Sequence, residues 1–261
     1  MSVPLAFESV GQGAPVVVLH GLFGSSTNWR QVARALAERH RVLSVDLRNH
    51  GASPWSAAMN YLDMAADVQA LIEREGLGRP AVVGHSMGGK TAMALALLHP
   101  ASVARLVVVD IAPVAYGDRF SPYVQAMSSI DTLAASSRSE VQRRLGEAIP
   151  DSGVVGFLMQ NLVMRNDHFD WRLNLAGLGA SLQALGDFPA PFLDRRYDGA
   201  MTVIAGALSD CVKPADRERF KALFPRVAPS SSLKARDTGC MPKSRRRSSP
   251  RCGGRSTPTL D

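Results

Sequence analysis

Gly84-His85-Ser86-Met87-Gly88 sets a serine between two glycines at the spacing Gly-x-Ser-x-Gly. A short apolar run, Ala81 to Val83, leads into it, and Thr91 to Leu98 continues with a helical pattern. Between a strand and a helix this spacing makes a turn so tight that the serine is forced into a strained backbone, and glycine is needed on either side. The hydroxyl then stands clear of the strand, over a helix N-terminus, placed for nucleophilic attack. The same residues spell a second chemistry. Gly84-x-x-x-x-Gly89-Lys90-Thr91 meets the phosphate-cradling pattern G-x-x-x-x-G-K-[ST]. Leu106 to Asp110 likewise resembles an Mg²⁺-binding aspartate strand. A nucleotide-binding loop over Gly84–Thr91 is therefore the alternative to a nucleophilic serine.

A serine nucleophile needs a base, an acid to orient the base, and donors for the developing oxyanion. His20-Gly21-Leu22-Phe23-Gly24 ends an apolar run and suits the donors. The amide of Leu22 is the first expected donor, with Phe23 as the fallback, and the amide of Met87 is the second. Each donor is worth about 2.7–4 kcal/mol in a transition state. Two carboxylates follow the serine at strand ends, Asp110 and Asp210, and either can orient an imidazole. His20, Gly21 and Trp171 are expected at the substrate, with Trp171 and Phe157 weighed against a place in a local core. His50 reads as a loop-stabilising residue. His168, with Asp167 and Asp170 nearby, reads as solvated polar surface, and no metal is expected.

The elements that must position these groups alternate. Strands are expected at Pro15–His20, Arg41–Asp46, Ala81–Val83, Val103–Asp110 and Ala200–Ala205. Helices are expected at Asn28–Arg39, Leu62–Glu75 and Lys213–Phe224. Such alternation implies a doubly wound, mostly parallel α/β sheet. From Pro113 to about Pro191 the strand rhythm stops, and a polar-helical stretch reads as an insertion over the carboxyl edge of the sheet, where sites of such folds lie. The expected organisation is a core of residues 1–112 and 191–227, a helical cap of residues 113–190 after the sixth strand, and a basic tail from 228.

Composition narrows the classes. The 261 residues suit one large α/β domain, and no apolar run is long enough to span a membrane. The beginning of the chain lacks a basic region followed by an apolar stretch, and three cysteines are too few for a disulfide framework. A cytoplasmic protein, monomer or dimer, with no membrane partner is expected. The net charge of +7 is uneven. Residues 228–261 carry eight Lys or Arg against two Asp, and the other 227 residues carry 22 against 21. The body is near neutral, so no nucleic-acid partner is expected.

Four stretches now read together: His20-Gly21-Leu22-Phe23-Gly24-Ser25, Asp46-Leu47-Arg48-Asn49-His50-Gly51-Ala52-Ser53, Gly84-His85-Ser86-Met87-Gly88-Gly89-Lys90, and Asp110-Ile111-Ala112-Pro113-Val114. In combination they closely resemble the small α/β-hydrolase esterases of the YbfF type, over residues 3 to 226. The resemblance implies esterase or thioesterase activity on short or medium acyl groups, no cofactor, and a helical cap. It favours Asp110 as the acid and makes Lys90 a packing and surface residue.

One part of that pattern is missing. The six histidines stand at 20, 40, 50, 85, 99 and 168, so none follows the last expected strand. The family's Gly-His-Trp-x-His-Ala-Glu is absent. After Phe224-Pro225-Arg226 the composition breaks, and residues 228–261 show neither strand nor helix periodicity. The stretch reads either as a genuine disordered basic tail or as the product of a shifted reading frame. In the frame that starts on each codon's third base, the junctions from Asp237-Thr238 to Pro242-Lys243 permit His, Trp, Val, His, Ala and Glu in turn, with only the alanine forced. The expectation is a serine hydrolase that has lost its triad base.

Overall fold

The computed structural model describes residues 2–207 and 209–233, with side chains to residue 228. The expectations for residues 234–261 lie outside the described residues. Within them the chain runs β1 (Phe7–Val10), β2 (Ala14–Leu19), α1 (Arg30–Leu36), β3 (His40–Val45), α2 (Tyr61–Arg74), β4 (Ala81–His85), α3 (Met87–Leu98) and β5 (Arg105–Val109). It continues through α4 (Ser121–Ser128), α5 (Arg138–Ala148), α6 (Ser152–Leu158), β6 (Leu162–Arg165), β7 (His168–Trp171) and α7 (Leu175–Gly186). It returns through β8 (Ala200–Gly206), α8 (Arg217–Leu223) and β9 (Val227–Leu233).

Seven strands form one sheet in the order β1-β3-β2-β4-β5-β8-β9. Only β1 is antiparallel, paired with β3. The central strands are continuous β-branched runs because both faces are covered. Val17, Val18 and Leu19 of β2 are fully buried. Helix α3, directly behind the serine, is buried on every side from Met87 to Leu97. That burial explains its lack of a polar face.

The structure departs from the sequence reading in four places. The strand β1 was not foreseen, since Phe7-Glu8-Ser9-Val10 is short and half polar. The expected helix from Asn28 begins as a 3₁₀ turn at Ser26–Trp29 and is α-helical only from Arg30 to Leu36. The long insertion follows the fifth strand in chain order, not the sixth, and contains the antiparallel hairpin β6–β7 among its helices. Finally, β9 pairs with β8 as far as Leu233, past the composition break at 228. A parallel ladder is made by backbone groups, so a polar run such as Ser230-Ser231-Ser232 can extend it.

Candidate active site

Ser86 sits between the last residue of β4 and the first of α3, at φ 51° and ψ −117°. This is the strained geometry the Gly-x-Ser-x-Gly spacing requires, with a typical cost of about 1–3 kcal/mol. Its amide donates to the carbonyl of Val109 on the neighbouring strand, at 3.0 Å. The flanking glycines are dictated by space. A Cβ on Gly84 would lie 2.2 Å from the Gly88 carbonyl oxygen, and one on Gly88 would lie 2.5 Å from the carbonyl oxygens of Leu19 and His20. Gly21 meets the same limit from the other side, since its Cβ would stand 2.9 Å from His85 Nδ1 and 3.3 Å from Ser86 Cβ. The loop after β2 is thus pressed directly against the serine turn.

That loop is a tight turn closed by the Gly24 amide on the Gly21 carbonyl, at 2.9 Å. Its third residue, Phe23, is left-handed at φ 62°, a position that usually takes glycine or asparagine. Two buried histidines hold the turn. His50 Nε2 accepts from the Phe23 amide at 3.3 Å, and its Nδ1 donates to the Arg48 carbonyl at 2.9 Å. His20 Nε2 accepts from the Leu47 amide at 3.0 Å, and its Nδ1 donates to the Gly21 carbonyl at 2.8 Å. In each ring one nitrogen faces an N–H and the other a carbonyl, so the neutral Nδ1–H tautomer is required. Burial accordingly lowers the pKa of His20 to about 4 and that of His50 to about 3, and the proximity of the two rings, 4.9 Å apart, adds to the effect on His50. Burial also lowers the pKa of His85.

Asp110 stands one residue past β5, buried, in left-handed backbone at φ 57°. Its amide donates to the Ile204 carbonyl at 2.8 Å, and its Oδ1 accepts from the Gly206 amide at 3.0 Å. Asp210 lies after β8 and is half exposed, with its carboxylate 3.4 Å from Arg119. Trp171 is buried within the insertion, where its indole N–H donates to the Met127 carbonyl at 3.2 Å. His168 lies on the hairpin, with Nδ1 3.2 Å from the Asn166 carbonyl oxygen. Among the described residues, no three His, Cys, Asp or Glu side chains are grouped to hold a metal.

The phosphate-loop alternative is not supported. Lys90 is buried rather than on the surface, and its ammonium donates to the carbonyls of Gly186 and Asp187 at 3.0 and 2.6 Å. It also lies over the rings of Tyr116 and Tyr61, 4.8 and 5.5 Å from their centroids. Thr91 is equally occupied, its hydroxyl donating to the Met87 carbonyl within α3. The side chains that would reach a phosphate and its Mg²⁺ are built into the packing behind the serine.

Two features escaped the sequence reading. Arg48 is fully buried and grips Asp67 of α2 with two hydrogen bonds, at 2.6 and 2.8 Å. Asp67 falls on the buried face of α2, and a charge at a core position is the signal that would have revealed the pair. The insertion also sends asparagines into the core loops. Asn161 Nδ2 donates to the Phe23 carbonyl at 2.8 Å, and Asn174 donates to Asn49 through both its amide and its side chain, each at 3.1 Å.

A strained serine between β4 and α3, beside a His-Gly turn after β2, in a sheet of this order defines a hydrolase class. A family profile described as alpha/beta hydrolase fold matches residues 14–144. The mouse (Mus musculus) sn-1-specific diacylglycerol lipase ABHD11 is 40% identical over 236 residues, spanning 86% of this chain and 76% of the mouse protein. Esterase YbfF of Escherichia coli is 36% identical over 163 residues, 62% of this chain and 63% of that protein. A solved structure of a marine microorganism esterase superposes with a TM-score of 0.85 at 31% identity, covering 89% of this chain and 92% of the other. The chain belongs to the α/β-hydrolase fold family, among relatives named as esterases and lipases.

Proposed function

We propose that this chain is a serine ester or thioester hydrolase for short or medium acyl groups, and that it lacks its triad base. The observation that carries the reading is the strained Ser86 with the Gly21–Gly24 turn packed on one side and buried Asp110 at the end of the adjacent strand. Ser86 Oγ attacks the acyl carbonyl. The amides of Leu22 and Met87 receive the oxyanion. Phe23 is the poorer choice of donor, because its amide is already given to His50. Asp110 is the better acid, being buried and held by Gly206, whereas Asp210 faces solvent beside Arg119. The alcohol or thiol leaves, and water releases the acyl group from the serine. Residues 113–190 act as the cap over this site, with Trp171 fixing the cap from within. Relatives named as esterase and diacylglycerol lipase support an acyl ester as substrate.

No histidine follows residue 168. Turnover of p-nitrophenyl acetate and butyrate is therefore expected at only the roughly 10³–10⁴-fold over water that the oxyanion donors and binding leave when a triad member is gone. Above the hydrolysis that imidazole alone causes in buffer, free imidazole should raise the rate in the wild type and not in Ser86→Ala. Asp110→Asn should lower that imidazole-supported rate while Asp210→Asn leaves it unchanged. Vigorous turnover without imidazole would overturn the missing base, and codons that forbid His-Trp-x-His in the shifted frame would overturn its origin.

A further inference from the structure

The two peptides that flank the Phe23 Cα are held by groups of different origin. His50, in the loop after β3, takes its amide. Asn161, from the insertion, gives its Nδ2–H to the Phe23 carbonyl at 2.8 Å and lies 3.3 Å from the Leu158 carbonyl oxygen. Asn161 is buried, and both of its neighbours there are carbonyl oxygens, so its amide nitrogen must face them. The Phe23 side chain is enclosed by the insertion as well, edge-on to Phe120 and Tyr123 with centroids 6.0 and 6.4 Å away. A bulky residue at φ 62° persists only where the surroundings over-determine it. Here the surroundings come half from the core and half from the insertion.

The geometry points to Asn161 as a positioning residue: by fixing the Phe23–Gly24 peptide it holds the Gly21–Gly24 turn in shape, and through that turn the Leu22 amide two peptide units before, so that the oxyanion donor is in place only when the cap is docked. This rests on the esterase reading and adds a coupling between cap and donor. Asn161 touches no reacting atom. It acts through the turn, in the way that supporting groups hold a site to within about half an ångström.

The test compares wild type, Asn161→Ala, Asn161→Asp and Gln160→Ala. Asp keeps the shape of Asn161 but turns an acceptor toward two carbonyls. Gln160→Ala removes the exposed hydrogen bond from Asn28, one residue away, without touching Phe23. Amide hydrogen exchange is read first, since it needs no activity. Both Asn161 variants should exchange the amides of residues 22–24 at least about tenfold faster, with α3 amides as slow as in wild type and in Gln160→Ala. On p-nitrophenyl acetate with imidazole, kcat should fall by about tenfold or more while KM stays within about threefold, the pattern of an interaction made in the transition state. Unchanged exchange at residues 22–24 in both Asn161 variants overturns the proposal, as does a loss confined to KM. Wild-type protein with no Ser86-dependent turnover overturns the esterase reading instead, and the exchange result still decides whether Asn161 holds the turn.

Discussion

The ammonium of Lys90 lies 2.6 Å from the carbonyl oxygen of Asp187, so the helix that begins behind Ser86 is bonded to the far end of α7 in the insertion. The attachment is charge-assisted and buried, and two tyrosine faces surround it. Lys90→Met keeps the volume and removes the donors. It should destabilise the protein by about 1–3 kcal/mol, because the Gly186 and Asp187 carbonyls lose their partner. Urea denaturation measures this. Titration with ATP and Mg²⁺ should give no saturable binding, and saturable binding abolished by Lys90→Met would revive the phosphate-loop alternative.

His20 and His50 make stability depend on pH in a definite direction. In the unfolded chain both rings take protons below about pH 6.5. In the fold, burial holds their pKa values near 4 and 3, so the folded protein binds fewer protons across that window. Stability is flat with respect to these groups above pH 6.5 and is lost as the pH falls from 6.5 toward 4, at up to about 1.4 kcal/mol per pH unit for each ring. His50→Gln offers an acceptor to the Phe23 amide without a titrating group and should remove about half of the slope contributed by the pair. Denaturation midpoints at pH 7.5, 6 and 5 decide the matter, and equal slopes in wild type and variant would refute the assignment.

The Arg48–Asp67 pair is fully buried, with the guanidinium also donating to the Ala58 carbonyl at 2.6 Å. Asp67→Ala leaves the buried cation with only the quarter-exposed Asp63 carboxylate, 3.6 Å away, and should cost about 3 kcal/mol. The double variant Arg48→Met, Asp67→Leu should recover most of that loss, because replacing a whole buried pair with apolar groups is far milder than halving it. Thermal melts of the three proteins test the difference. A double variant no more stable than Asp67→Ala would show that the hydrogen bonds to Ala58 and to the Val3 amide matter more than the charge.

How much of this was legible in the sequence follows from how local each signal is. The central strands and the serine turn were readable because β-branched runs and Gly-x-Ser-x-Gly spacing act over a few residues. The short, half-polar β1 carried no such run and owes its pairing to β3. For Lys90 the packing half of the reading agrees with the structure and the surface half does not, because its partners, Gly186 and Asp187, stand almost a hundred positions away. Asn161 offered no local cue at all, since its meaning lies in the strained backbone of Phe23. The strand at Val227–Leu233 was missed for the opposite reason, as its pairing with β8 is made by main-chain groups that every non-proline residue owns.

Two left-handed, non-glycine residues in the core loops, Phe23 and Asn49, are each held by an asparagine from the insertion. The insertion is therefore not an interchangeable module. On the esterase reading proposed above, a chimera that exchanges residues 113–190 for the corresponding segment of a relative imports new walls for the substrate, but it also removes the two donors that keep these loops in shape. Transplanted specificity would arrive with a disordered catalytic floor unless amide side chains at the positions of Asn161 and Asn174 travel with the graft.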